Sequence, residues 1–178
     1  MVFVALCLVR IAEVELMKIA IVGSKERDTE EDRQLVASLL EQLVLEAPHS
    51  VFVTALSHIG VGKFVRDKCL EKTELGRYRF ALIECSVRIY AQSLSKSELS
   101  QIYLARNATP FETADMLIYL ASEDRRGTME DLLERFQRAG RPALVLMPGE
   151  KIPDKIFPIA VVAAFPHHCD DPTCVLCV

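Results

Sequence analysis

The sequence predicts an α/β fold, with a doubly wound, mainly parallel sheet of five to six strands and helices on both faces. Short apolar runs, rich in β-branched residues, alternate along the chain with longer segments of helical periodicity. The short runs are apolar at nearly every position, which is typical of strands buried on both faces of a parallel sheet. Because parallel neighbours need crossover connections, the intervening helices would join them and pack on the sheet.

The first strand and the first helix have clear boundaries. Residues 18–22 form an apolar run that ends at the turn Gly23-Ser24. Asp28 or Thr29 can cap the next helix, whose valine and leucine side chains recur at helical spacing. Pro48 ends this helix, because proline lacks the N–H that continues it.

The same alternation continues through the rest of the chain. The predicted elements are strands at 51–55, 78–84, 115–121 and 143–147, a candidate sixth strand at 156–165, and helices at 63–72, 97–106 and 128–139. Gly140 stands where the last helix needs a left-handed cap, and Pro142 prevents its continuation. His58, in the loop after the second strand, is either an ordinary loop histidine or a ligand contact.

The composition indicates one domain of ordinary globular character. The chain has 178 residues, of which 51% are hydrophobic and 26% charged. A chain of this length can bury a stable core without disulfide or metal cross-links. Its formal net charge of -4 leaves no basic excess for a nucleic-acid partner. Its six cysteines do not form a disulfide framework, which favours a reducing, cytoplasmic location. The apolar start is too short to span a membrane, so we expect no membrane partner.

The chain is expected to divide into three parts. Met17 directly precedes the first strand, so residues 1–16 are interpreted as an N-terminal extension, with an extra edge strand as the alternative. Residues 17–165 would form the domain, and residues 166–178 a tail rich in cysteine and histidine.

The tail offers a candidate zinc site. Its four ligands would be His167, Cys169, Cys174 and Cys177. Four such ligands within a short segment suit tetrahedral zinc, and a fully protein-ligated site would be structural. The alternatives are a redox pair and a reactive tail.

Three segments are expected to meet outside the carboxyl ends of the strands, where ligands bind in such sheets. The turn Gly23-Ser24 and the loop Arg126-Gly127-Thr128 can bring backbone amides at helix N-termini close to a phosphate. Arg106-Asn107 can offer a guanidinium and an amide to a phosphate or a ribose. Each segment also has a structural interpretation, as a tight turn, a helix cap or a solvated arginine.

In this order the segments resemble a known superfamily. The matching stretches are residues 18–24, 105–107, 114–120, 127–134 and 140–146. They are similar to the Rossmann-like proteins that join the Lonely Guy phosphoribohydrolases with the Smf/DprA DNA-processing proteins, over residues 18–147. The resemblance implies a Rossmann-like fold, a nucleotide-like small-molecule ligand, and a homodimer or higher oligomer. We predict no organic cofactor.

The resemblance also implies roles for individual residues. The Lonely Guy enzymes cut the N-glycosidic bond of nucleoside monophosphates with an arginine before strand four and a glutamate that follows a Pro-Gly-Gly-x-Gly-Thr loop. By position the arginine corresponds to Arg106, and the glutamate to Asp131 with Glu130 beside it. Residues 123–126 replace the family's Pro-Gly-Gly, and the carboxylate is one methylene shorter.

These departures favour binding of a nucleotide or nucleotide-derived ligand without turnover, since catalysis needs a carboxylate placed to within about 1 Å. The alternative function is an N-glycosidic hydrolase or transferase, in which Arg106 clamps the substrate and Glu130 or Asp131 stabilises the ribosyl cation. A second alternative is an interaction protein whose metal-tied tail docks a partner.

Overall fold

The computed structural model describes residues 16–71, 80–85, 95–125 and 128–157. Strands and helices alternate strictly over these ranges. They are β1 (Lys18–Gly23), α1 (Glu30–Glu46), β2 (Val51–Ala55), α2 (Gly60–Cys69), β3 (Leu82–Cys85), α3 (Lys96–Thr113), β4 (Met116–Leu120), α4 (Thr128–Arg138) and β5 (Ala143–Leu146). The strands form one sheet in the order β3-β2-β1-β4-β5, and all neighbours are parallel. The predicted doubly wound α/β fold is confirmed.

Helices cover both faces of this sheet. Successive side chains of a strand point to opposite faces, so Ile19 and Ile21 pack with α1 and α2 on one side. Ala20 and Val22 pack with α3 and α4 on the other side. The chain crosses from β3 back to β4 over β2 and β1, which reverses the direction of winding between β1 and β4. Ligands bind at this reversal in open α/β sheets, outside the carboxyl ends of the strands.

The register brings the loops after β1 and β4 side by side. Gly23, at the end of β1, pairs with Leu120, at the end of β4. The N–H of Ser24 then donates to the carbonyl of Leu120 over 3.0 Å. The chain therefore leaves both strands at the same level.

The predicted strands at 51–55, 115–121 and 143–147 are observed to within a residue or two at each end. Of the candidate sixth strand, Ile156 and Phe157 lie outside any strand, and the remainder lies outside the described residues. The helix predicted at 97–106 instead continues to Thr113 and includes Pro110. Packing sustains the longer helix, because Phe111 is buried and makes an edge-to-face contact with Phe136 of α4 at 6.4 Å.

The start of α1 distinguishes the two cap candidates. Thr29 is the N-cap and forms a reciprocal capping box with Asp32. Asp28 instead accepts a hydrogen bond from the N–H of Gly60 over 2.8 Å, which joins the loop after β1 to the start of α2.

A buried ion pair ties the same loop to the sheet. Nε of Arg27 lies 2.6 Å from the Asp32 carboxylate, and the side chains are only 5% and 8% exposed. Nη1 of Arg27 donates to the carbonyls of Ala121 and Leu146, over 2.9 and 3.2 Å. One guanidinium therefore links the β1–α1 loop to the ends of β4 and β5.

Glu46, the last residue of α1, holds the segment that follows β5. Its carboxylate accepts from the N–H groups of Ile156 and Phe157, over 2.9 and 3.0 Å. Burial alone would raise the pKa of Glu46, but the amides of Phe157, Gln42 and Ile156 outweigh it and lower the pKa below its ordinary 4.5. The bound amides also offset the unfavourable position of a negative charge at a helix C-terminus.

Replacing Glu46 with glutamine should cost about 1 to 2 kcal/mol at pH 7, because the amides lose a charged acceptor. A carboxylate with a depressed pKa stabilises the fold above its unfolded pKa, and this contribution disappears as the pH falls through the folded pKa. In urea titrations from pH 7 to pH 3, the difference in stability between the two proteins should therefore stay constant above the ordinary pKa of 4.5 and shrink as the pH falls below it. The control is Glu134→Gln at an exposed pair with Arg138. Parallel curves for Glu46→Gln and the unmodified protein would contradict this account.

None of the helices within the described ranges is long and apolar enough to cross a membrane. Residues 1–15 of the predicted extension and the whole of the tail at 166–178 lie outside the described residues. Met17 is buried in the core, and its carbonyl accepts from the N–H of Val51.

Candidate functional site

A cleft of about 770 Å³ opens at the carboxyl edge of the sheet, around the reversal between β1 and β4. Its walls come from the ends of β1, β2 and β4, the loops after them, and residues of α2, α3 and α4. This volume falls within the usual range for small-molecule and cofactor sites. The cleft therefore has both the position and the size expected of a ligand site.

Five of the residues predicted from sequence line the cleft. They are Gly23, Ser24, Arg106, Asn107 and Thr128. These residues come from three segments that are far apart along the chain, as predicted for a shared crevice. Arg126 and Gly127 lie outside the described residues.

Glu130 and Asp131 occupy the first turn of α4. Among the described residues neither belongs to the wall of the cleft. Asp131 is exposed to solvent, whereas the Glu130 side chain is only 13% exposed. Their predicted catalytic roles stay predictions.

Glycine packing sets the start of α2 directly against the sheet. A side chain at Gly23 would overlap Val61 of α2. A Cβ at Gly62 would lie 2.7 Å from the carbonyl oxygen of Ala55, at the end of β2, closer than real Cβ atoms approach. The two glycines therefore permit α2 to begin inside the cleft wall.

The N-terminus of α2 faces the cleft, and its first amide, the N–H of Gly60, donates to the carboxylate of Asp28. Its N-cap residue, Ile59, makes no capping hydrogen bond, and residues 59–62 all line the cleft. The next amides of the first turn, at Val61 and Gly62, have no acceptor within the helix, and such amides favour an anion. This feature was not predicted from the sequence, because the predicted helix begins at residue 63. The signal was present as two glycines, at 60 and 62, just after a strand and without a capping residue.

Two carboxylates occupy the gap between β1 and β4. Glu26 accepts a hydrogen bond from the hydroxyl of Ser24, and Asp124 accepts one from the hydroxyl of Ser122 over 2.9 Å. The Ser24 hydroxyl and the Glu26 backbone N–H lower the pKa of Glu26, while the negative charge of Asp124 opposes them. Glu26 is therefore ionised at neutral pH. No role for Glu26 was predicted from the sequence.

Arg106 and Asn107 enter the cleft from α3, on the opposite side of the sheet from α2. Nε and Nη2 of Arg106 donate to Oδ1 of Asn107, over 3.2 and 3.0 Å. Because this contact occupies the amide oxygen, Asn107 presents N–H donors to its surroundings. Both side chains are half-buried.

Tyr119 of β4 lines the cleft, and Glu130 of α4 lies near its hydroxyl outside the cleft wall. Burial raises the pKa of the Tyr119 hydroxyl, and the nearby negative charge of Glu130 raises the pKa further. Tyr119 is therefore protonated at neutral pH. Glu130 also receives two hydrogen bonds from Arg125, over 3.2 and 2.9 Å.

Within the described ranges, no group of three or more histidine, cysteine or carboxylate side chains could hold a metal ion. The predicted ligands of the tail lie outside those ranges. They are His167, Cys169, Cys174 and Cys177. Zinc binding by the tail therefore stays a prediction.

Comparison of the chain with protein-family models, curated proteins and solved structures finds no match. The resemblance to the Lonely Guy and Smf/DprA superfamily therefore rests on the sequence segments alone. What this protein binds is inferred from the chemistry of the cleft.

Proposed function

We propose that this protein binds a nucleotide-type ligand at the carboxyl edge of its sheet without turning it over. One observation carries the proposal. Gly23, Arg106 and Thr128, expected from sequence to meet around a ligand, line one cleft at the reversal of the sheet. The resemblance to nucleotide-binding proteins supports the same ligand class.

The phosphate would lie against the start of α2. The first-turn amides there carry the positive end of the helix dipole, and Gly62 lets the backbone lie close to the sheet. Thr128, the first residue of α4, brings a second helix start to the cleft.

The ribose would lie at the gap between β1 and β4. The carboxylates of Glu26 and Asp124 disfavour a phosphate at this place, but their oxygens accept hydrogen bonds from sugar hydroxyls. Charge therefore sets the direction of the ligand, with the phosphate toward α2 and the sugar toward the carboxylates. Asn107 offers amide donors to the remaining part of the nucleotide.

The contacts of the predicted catalytic carboxylates support binding without turnover. Arg125 and Tyr119 engage Glu130, and Asp131 is exposed outside the cleft wall. The alternative function, an N-glycosidic hydrolase or transferase, draws support from Glu26 and Asp124. Two carboxylates across a sugar are the arrangement that such cleavage uses.

Isothermal titration with AMP, GMP, CMP and UMP tests the proposal, with adenosine as the matched ligand that lacks a phosphate. We expect micromolar to millimolar binding of at least one monophosphate and at least roughly tenfold weaker binding of adenosine, about 1.4 kcal/mol. No heat from any monophosphate at millimolar concentration would overturn it.

Chromatography of the same mixtures separates the two functions. Binding of a monophosphate without release of free base supports binding without turnover. Release of base supports the enzyme, and its loss in Asp124→Asn, Glu130→Gln or Asp131→Asn would identify the carboxylate responsible. Arg138→Gln, at an exposed pair on α4, serves as the control variant.

A further inference from the structure

The loop between β4 and α4 has an unusual backbone at Arg125. Its φ is 44°, the only positive φ among the described residues other than glycine. Residues other than glycine rarely adopt a positive φ, so contacts with the surrounding structure must hold Arg125 in this conformation. The loop matters for the cleft because it carries Ser122 and Asp124 into the wall.

The Arg125 side chain reaches the first turn of α4. Nε and Nη2 of Arg125 both donate to Oε2 of Glu130, over 3.2 and 2.9 Å. The Glu130 side chain is 13% exposed, against 47% for Arg125. Glu130 is therefore the buried partner of the pair, held in the first turn of α4. Two hydrogen bonds from one guanidinium to one carboxylate restrict orientation as well as distance.

Hydrogen bonds within the loop connect Arg125 to the loop residues that line the cleft. The N–H of Arg125 donates to the carbonyl of Ser122 over 3.4 Å, which closes the turn. The hydroxyl of Ser122 donates to Asp124 over 2.9 Å. The position of Asp124 is therefore coupled to the backbone at Arg125 and, through its side chain, to Glu130.

We propose that Glu130 is a positioning residue, which acts through Arg125 to hold the β4–α4 loop and thereby place Asp124 in the cleft. The proposal rests on the nucleotide-binding function only for its consequence on affinity. It differs from the role predicted from sequence, in which Glu130 itself faces the ligand.

A double-mutant cycle tests the coupling. Arg125→Gln, Glu130→Gln and the double variant are titrated with AMP, or with whichever monophosphate the unmodified protein binds best. Because both single changes break the same contact, each should weaken binding by roughly three- to tenfold, and the double variant should be no weaker than the weaker single one. Arg125→Lys, which keeps a cation, should recover part of the loss.

Two results would overturn the proposal. If the effects of the single changes multiply, Glu130 contacts the nucleotide independently of Arg125. If Arg125→Gln weakens binding while Glu130→Gln does not, Arg125 itself binds the phosphate. The same cycle on the exposed pair of Arg138 and Glu134, 2.8 Å apart on α4, should leave affinity unchanged.

A measurement without nucleotide tests the positioning role of Glu130 independently of the proposed nucleotide binding. Amide hydrogen exchange over residues 121–125 should be several-fold faster in both single variants, while global stability and exchange in β1 are unaltered. If the loop exchanges faster but no monophosphate binds the unmodified protein, the positioning role of Glu130 is upheld and the proposed ligand is wrong. Unchanged exchange in both variants would show that the loop does not depend on Glu130.

Discussion

Replacing Arg27 with methionine is expected to destabilise the protein by about 3 to 5 kcal/mol, which for a chain of this length lowers Tm by roughly 10 °C. The reason is the burial of its partner. Asp32 is 8% exposed, so removing the guanidinium leaves an uncompensated charge in the interior. The carbonyls of Ala121 and Leu146 lose their hydrogen bonds from Arg27 at the same time.

Chemical denaturation of three variants measures this effect and its origin. Arg138→Met removes a guanidinium from an exposed pair and should change stability by less than about 1 kcal/mol. In Arg27→Met/Asp32→Leu no buried charge is left alone, so much of the loss should be recovered. Recovery should stop about 1 to 2 kcal/mol short, because the double variant still lacks the capping box of α1 and the hydrogen bonds from Arg27 to the two carbonyls. A loss of under 1 kcal/mol in Arg27→Met would contradict the role assigned to this pair.

Replacing Gly62 with alanine should weaken monophosphate binding by more than about tenfold, at least 1.4 kcal/mol. The new Cβ would lie 2.7 Å from the carbonyl oxygen of Ala55 and 3.2 Å from Cβ of Ser57. Neither neighbour is the flexible end of a side chain, so the start of α2 must move away from the sheet. The amides proposed to hold the phosphate move with it, at a cost of about 1 to 3 kcal/mol in stability.

Gly140→Ala provides a matched control for this variant. Gly140 has a φ of +73° at the end of α4, so alanine is also strained there, but nothing lies within 4 Å of the new Cβ. Stability should fall by about 1 kcal/mol with affinity unchanged. Titration calorimetry at a temperature where both variants are folded makes the comparison. Undiminished affinity in Gly62→Ala would show that the phosphate does not bind at α2.

The elements of the fold were largely predictable because local rules govern them. Residues 18–22 are apolar at nearly every position and end at a glycine, and the helix from Thr128 has an apolar face and a terminal glycine. The longer extent of α3 was not predictable, since Pro110 marks a helix end locally. Burial of Phe111 against α4 decides otherwise, and that contact exists only in the assembled domain.

The candidate site, too, was predictable only in part. The order of Gly23, Arg106 and Thr128 along the chain was sufficient to predict that they meet, because parallel topology brings the segments after successive strands to one edge. The roles of Glu26 and Glu130 were not predictable. Glu26 enters the cleft wall only through the folded turn after β1, and Glu130 depends on a contact with Arg125 that the fold sets.

By itself, the sequence determined the alternation of strands and helices, the parallel sheet and the edge at which a ligand would bind. These follow from hydrophobic periodicity and from the crossovers that parallel strands require. Only the tertiary structure decided that α2 begins inside the cleft and that Glu130 turns to Arg125 and Tyr119. The physical reason is that close packing and charge pairing depend on distances between segments, which residue order along the chain does not specify.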